Sequence, residues 1–135
     1  MGNMRRGMAA VMVSVLALWI GSAAAGASTV PLVKSVRNAG RCTGGDSTYS
    51  LALSRYDRNT LRVRVRIANS TPGQTWQIFG SDNGSRIFAV KRVVPSDGSV
   101  SVRKRAADLR GRDRVKVAAG NSDSGEACTG TVKGF

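Results

Sequence analysis

The chain has 135 residues, enough for one domain and too few for two. It carries 21 lysines and arginines against eight aspartates and glutamates, a net charge of +13, with two cysteines and no histidine. The missing histidine removes Ser-His and Cys-His nucleophile activation and imidazole metal ligation in one step, so the expectation is a protein that is not an enzyme and uses no cofactor and no metal.

Arg5 and Arg6 precede an apolar run over residues 9–20, and small residues follow it, with Ala23, Ala24 and Ala25 as the cleavage signal. That is the pattern of a secretory signal peptide, and the run is shorter than the roughly 20 apolar residues a spanning helix needs. Residues 1–25 are therefore read as a signal-peptide helix removed on export, leaving a secreted or extracytoplasmic chain with no transmembrane anchor. Loss of Arg5 and Arg6 takes the charge from +13 to +11. A surface so basic attracts acidic partners at long range. Sixteen arginines against five lysines is also what a GC-rich coding bias produces, so composition alone does not separate a binding role from solubility.

Residues 26–45 mix small residues with one apolar cluster, Val30, Pro31, Leu32 and Val33, and read as an N-terminal arm tied down at Cys42. Residues 46–135 read as the folded domain. Cys42 and Cys128 both lie in the exported part, where a single disulfide is the natural outcome.

Within the domain, residues 48–55 alternate, with Tyr49, Leu51 and Leu53 opposite Ser50, Ala52 and Ser54. Asp57, Arg58 and Asn59 turn this strand into the most regular stretch of the chain, Leu61, Arg62, Val63, Arg64, Val65, Arg66 and Ile67. Strand side chains alternate with period two, so four branched apolar groups share one face and three guanidinium groups the other. Successive arginines stand about 6.6 Å apart. Like charges at about 6 Å in water repel by roughly 0.7 kcal/mol before salt screening, so this face is costly to leave unpartnered.

Residues 75–81 and 86–94 flank Asp82, Asn83, Gly84 and Ser85, and Asn-Gly between apolar runs is the signature of a tight hairpin. With Asn83 and Gly84 central, an unbroken ladder pairs Ser81 with Arg86 and Phe79 with Phe88. Trp76, Ile78, Ile87 and Ala89 then share one face and Phe79, Phe88 and Val90 the other. Trp76 is assigned to the core, which leaves Phe79, Phe88 and Val90 as an apolar contact patch unless the arm around residues 30–33 covers them. Pro95 to Gly98 is a turn, residues 99–105 alternate Val100 and Val102 against Ser101, Arg103 and Arg105, and residues 106–112 have room for one helical turn or an irregular corner. Residues 114–119 and 127–132 complete the set. Asn121, Asp123 and Glu126 are spaced unlike a calcium loop and read as a solvated turn. Gly45, Asp46 and Ser47 resemble a fragment around some hydrolase serines but have no base beside them.

Seven short strands separated by turn signals, with no sustained helical period, resemble an immunoglobulin-like or fibronectin-type-III-like antiparallel β-sandwich. The fibronectin-like topology implies that the first, second and fifth of these strands share a sheet, which would gather Arg62, Arg64, Arg66, Arg103 and Arg105 as an anion-binding outer face. The marks specific to antibody domains are missing: Trp76 lies too far beyond Cys42, Cys128 is on the last strand, and no tyrosine precedes Arg114 at the corner. The disulfide therefore reads as a tie between the ends of the domain. The patterns Cys42-Thr43-Gly44-Gly45, Pro72-Gly73-Gln74-Thr75-Trp76 and Gly125-Glu126-Ala127-Cys128 are similar to those of small exported actinobacterial proteins of unassigned function. The functional expectation is a basic exported binding module for a polyanionic envelope polymer or acidic lipid surface, with intracellular nucleic acid set aside by export. The alternative is an extracellular protein-protein module or enzyme inhibitor that uses the Phe79 and Phe88 face.

Overall fold

The computed structural model describes Gly26, residues 34–109 and residues 111–135. The expected signal peptide and the cluster at residues 30–33 lie outside these residues. Eight antiparallel strands are present and, among the described residues, no helix. They are β1 (Ser35–Arg41), β2 (Thr48–Arg55), β3 (Thr60–Ala68), β4 (Thr75–Asp82), β5 (Ser85–Val93), β6 (Val100–Ala107), β7 (Asp113–Asn121) and β8 (Ala127–Gly134). Two four-stranded sheets form, in the orders β1-β2-β3-β6 and β5-β4-β7-β8. Leu51, Leu53, Val63, Val65 and Ile67 of the first sheet and Trp76, Ile78, Val115 and Val117 of the second belong to one buried cluster, a sandwich-like arrangement.

Seven strands were expected and eight are found, because residues 35–41 of the expected arm form an edge strand paired residue for residue with β2, from Ser35 opposite Ser54 to Arg41 opposite Thr48. Its inward positions are Val36, Asn38 and Gly40, so it lacks the apolar alternation that marks the other strands. Non-local partners hold it instead. Asn38 Nδ2 donates to the Thr131 carbonyl of β8 at 3.0 Å and its Oδ1 accepts from the Tyr49 hydroxyl at 3.0 Å. The Tyr49 ring fits a slot in which a Cβ on Gly40 would lie 3.1 Å, and on Gly130 2.6 Å, from its atoms. Among the described residues between β6 and β7, Asp108, Leu109, Gly111 and Arg112, none is helical.

The hairpin of β4 and β5 corrects the expected apolar patch. Asn83 and Gly84 are its central residues, with φ of 49° and 87°, and Ser81 pairs with Arg86 as expected. Beyond that pair the register shifts by a bulge, which places Gly80 opposite Phe88, Phe79 opposite Ala89 and Ile78 opposite Val90. One extra residue flips every side chain past it to the other face. Phe88 is therefore buried at 7 % exposure and Val90 packs against the core, both on the side of Trp76 and Ile78, while Phe79 alone faces outward. The Phe79, Phe88 and Val90 face does not exist as a surface. Gly80 permits the shift: a Cβ there would sit 2.2 Å from the Phe88 ring.

Trp76 is wholly buried, and its indole N–H donates to the Ser70 hydroxyl at 2.7 Å. Cys42, just past β1, is bonded to Cys128 on β8, both buried. The bridge joins an edge of one sheet to an edge of the other, beside a backbone pairing of Thr43 with Ala127. A disulfide is compatible with an extracytoplasmic location. Among the described residues no helix is long and apolar enough to cross a membrane.

Candidate functional site

The alternation of β3 is realised in full. Leu61, Val63 and Ile67 are wholly buried and Val65 nearly so, which turns Arg62, Arg64 and Arg66 to the outer face. Strand β6 pairs with β3 so that Arg105 lies opposite Arg62, Arg103 opposite Arg64 and Ser101 opposite Arg66. The five arginines singled out by the sequence thus form two adjacent rows on one face. Lys104, half-buried on the same edge strand, borders the cluster.

Two further arginines belong to this face and depended on a strand that the sequence did not reveal. On β1 the outward positions are Ser35, Arg37, Ala39 and Arg41, with Arg37 opposite Ala52 and Arg41 opposite Thr48. Between the rows of β1 and β3 runs β2, whose outward Ser50, Ala52 and Ser54 are opposite Arg66, Arg64 and Arg62. The result is a furrow with Ser50 and Ala52 on its floor, Arg64 and Arg66 along one bank and Arg37 beside Ala39 on the other.

Tyr56 follows β2 and turns its ring to Arg62 and Arg105, on the β3 and β6 side. It follows Ser50, Ala52 and Ser54 in the same alternation, a signal legible in the sequence and passed over there. An Asx turn, in which the Asn59 N–H donates to Asp57 Oδ1 at 2.9 Å, and a Tyr56 N–H bond to the Thr60 carbonyl at 2.8 Å hold it at the strand end. Its ring lies 3.9 Å from the Arg105 guanidinium carbon and 4.7 Å from that of Arg62. Arginines directly opposite one another repel, and a ring face shared between them offsets part of that by roughly 0.5–1 kcal/mol per contact. Asp97 lies in the turn before β6 with its two carboxyl oxygens engaged by the N–H and hydroxyl of Ser99.

None of the seven face arginines is in a salt bridge with another described residue; the ion pair found is Arg55 with Asp108, at 3.3 Å. The backbone N–H of Asn59 and the hydroxyl of Thr60, with Arg105 nearby, hold the Asp57 carboxyl below its ordinary range. The strands carry two carboxylates, Asp82 and Asp113, and both are buried in the interior. Every ionic side chain that a strand turns outward is therefore a cation.

The other candidate features are occupied by structure. Asn121 Oδ1 accepts from the N–H groups of Asp123 and Ser124, and Asp123 Oδ2 accepts from the Thr75 N–H at 2.7 Å. Glu126, 7 % exposed, accepts from the Ser47 N–H and the Ser124 hydroxyl. Burial acts to raise its pKa, but the bonds from Ser47 and Ser124 outweigh this and hold it below the ordinary value. The Ser47 side chain is wholly buried, its hydroxyl 3.4 Å from the Asn69 carbonyl. Phe79 faces outward beneath the Arg86 guanidinium, 5.2 Å from its ring centre. That leaves one aromatic ring with a cation over it where an apolar patch was expected.

No family model, no curated protein and no solved structure matches this chain.

Proposed function

We propose that the chain is an exported, non-enzymatic binding module whose β1-β2-β3-β6 face holds polyanions of an envelope or extracellular surface. The observation that carries this reading is the set of seven arginines on one sheet face, none of them in a salt bridge with another described residue. Guanidinium groups bind phosphate and carboxylate oxygens bidentately, and such an array gains most when an anion from outside supplies the missing countercharge. Export is supported by the amino-terminal pattern and by the disulfide.

The fold is proposed as fibronectin-type-III-like with one added edge strand. Strands β2, β3 and β6 make one sheet and β5, β4, β7 and β8 the other, the order that topology requires of its seven strands. The similarity to small exported actinobacterial proteins belongs to the same proposal. The alternative protein-protein reading loses its support, since Phe88 and Val90 turn inward.

The test is binding of the folded chain to isolated envelope material at two salt concentrations. Counterion release makes polyanion binding fall steeply with salt, so a loss of tenfold or more is expected between low and moderate ionic strength. The triple substitution R62S/R64S/R66S is expected to lose at least as much at low salt. Undiminished binding by the triple variant rules the reading out.

A further inference from the structure

The furrow over β2 narrows the class of partner, and the step rests on the basic-face reading above. We propose that it is a groove for a single unbranched polymer that carries one phosphodiester or carboxylate group per repeat and lies lengthwise along β2. Neighbouring strands are about 4.8 Å apart, so the arginine rows of β1 and β3 are separated by roughly 10 Å across the floor of Ser50, Ala52 and Ser54. Only a narrow chain reaches that floor. Along the β3 bank guanidinium groups recur every second residue, about 6.6 Å apart, a periodicity that meets anions repeating along one backbone, while the β1 bank carries Arg37 and Arg41 with Ala39 between them.

From Ser50 to Ser54, opposite Arg66 to Arg62, the floor runs about 13 Å, so two or three repeats are held at once. Beyond the β3 bank, Arg103 and Arg105 form a second row opposite Arg64 and Arg62, letting one anion be gripped from two strands. The Tyr56 ring, 43 % exposed, lies against Arg62 and Arg105 at the end of these two rows. A lipid surface fits this face poorly. Interfacial binding draws on apolar side chains that enter the headgroup layer, and the outward strand positions here are arginine, serine, threonine and alanine, with Tyr56 the one aromatic ring beside them and held against two guanidinium groups.

The experiment keeps all the charges and fills the groove. Ala52→Phe puts a ring between Arg37 and Arg64 on an outward position, and Ser54→Tyr puts one between Ser35 and Arg62 one step along, in case the first variant fails to fold. Wild type, each groove variant and R62S/R64S/R66S are titrated at low salt with poly(glycerol phosphate), polygalacturonate, inorganic phosphate and phosphatidylglycerol vesicles. The wild type is expected to bind at least one linear polymer far more tightly than free phosphate or vesicles. The groove variants are expected to lose tenfold or more on that polymer with melting temperature unchanged, and the polymer bound identifies the anion. If the groove variants bind like wild type while the triple variant does not, the groove falls and the basic face stands. If the triple variant also binds like wild type, or wild type binds neither polymer, both fall. Vesicle binding as tight as polymer binding overturns the groove in favour of a membrane surface.

Discussion

Asp113 is wholly buried at the start of β7, and neither of its carboxyl oxygens meets a donor. Burial, then the charges of Asp82 on β4 and Asp108 after β6, push its carboxyl up to about 7. The neighbouring side chains are carboxyls too, and a proton on Asp113 turns these contacts into hydrogen bonds. Arg55 pairs with Asp108, and Asp82 accepts from the Arg114 backbone N–H. An unfolded aspartate ionises near pH 4, so between about pH 4 and 7 the folded chain binds a proton that the unfolded chain has lost. The stabilisation is complete below the unfolded value and is lost as pH rises through the folded one. The melting temperature is therefore expected to fall from about pH 5 to about pH 8, and Asp113→Asn, which stays neutral, is expected to flatten that fall. Equal slopes for the two proteins would show that the buried acid is not titrating. Glu126 works in a separate window, since its depressed pKa gives stability at neutral pH that is lost only as pH falls below the ordinary glutamate range.

The elements that were legible are those whose information is local. β3 declared itself because its two faces carry opposite extremes of polarity, and the turn at Asn83 and Gly84 because few residues adopt two consecutive positive φ angles. β1 was hidden because Asn38 and Gly40 are explained by Thr131 and Tyr49, partners far along the chain or on the next strand. With it went Arg37 and Arg41, and so the second bank of the furrow. The bulge in β4 and β5 was hidden for a related reason. Its position depends on Phe88 stacking over Gly80, a fit that no period in the sequence records. The consequence is measurable: Gly80→Ala is expected to cost roughly 1–3 kcal/mol by overpacking the Phe88 ring, read as a lower denaturant midpoint. Combining it with Phe88→Leu is expected to cost less than the sum of the single changes. Simple additivity would mean that Gly80 is needed for its backbone rather than for the ring above it.

For the whole molecule, sheet pairing and charge are sorted together. Carboxylates on strands go inside, cations go out, and the remaining acids sit in loops or at corners, so the fold concentrates repulsion on its surfaces and must be held by its core and by its edges. The edges β1 and β8 are the place where a covalent tie counts most. β1 has one apolar inward residue, Val36, and beyond its pairing with β2 the Asn38 bond to Thr131 and the Thr43–Ala127 pairing join it to β8. The Cys42–Cys128 bond spans 86 residues of sequence, and closing a loop of that size removes unfolded-state entropy worth roughly 4–5 kcal/mol in the chain-entropy account. Small domains have about 5–15 kcal/mol in total, so the bridge supplies a large share. C42S/C128S is therefore expected to lower the denaturant midpoint by about a third or more, and to open amide exchange first at residues 35–41. A loss below about 1 kcal/mol would mean that backbone pairing alone secures this edge. The β1 bank of the furrow would then be held without the bridge, and polyanion binding should survive reduction unchanged.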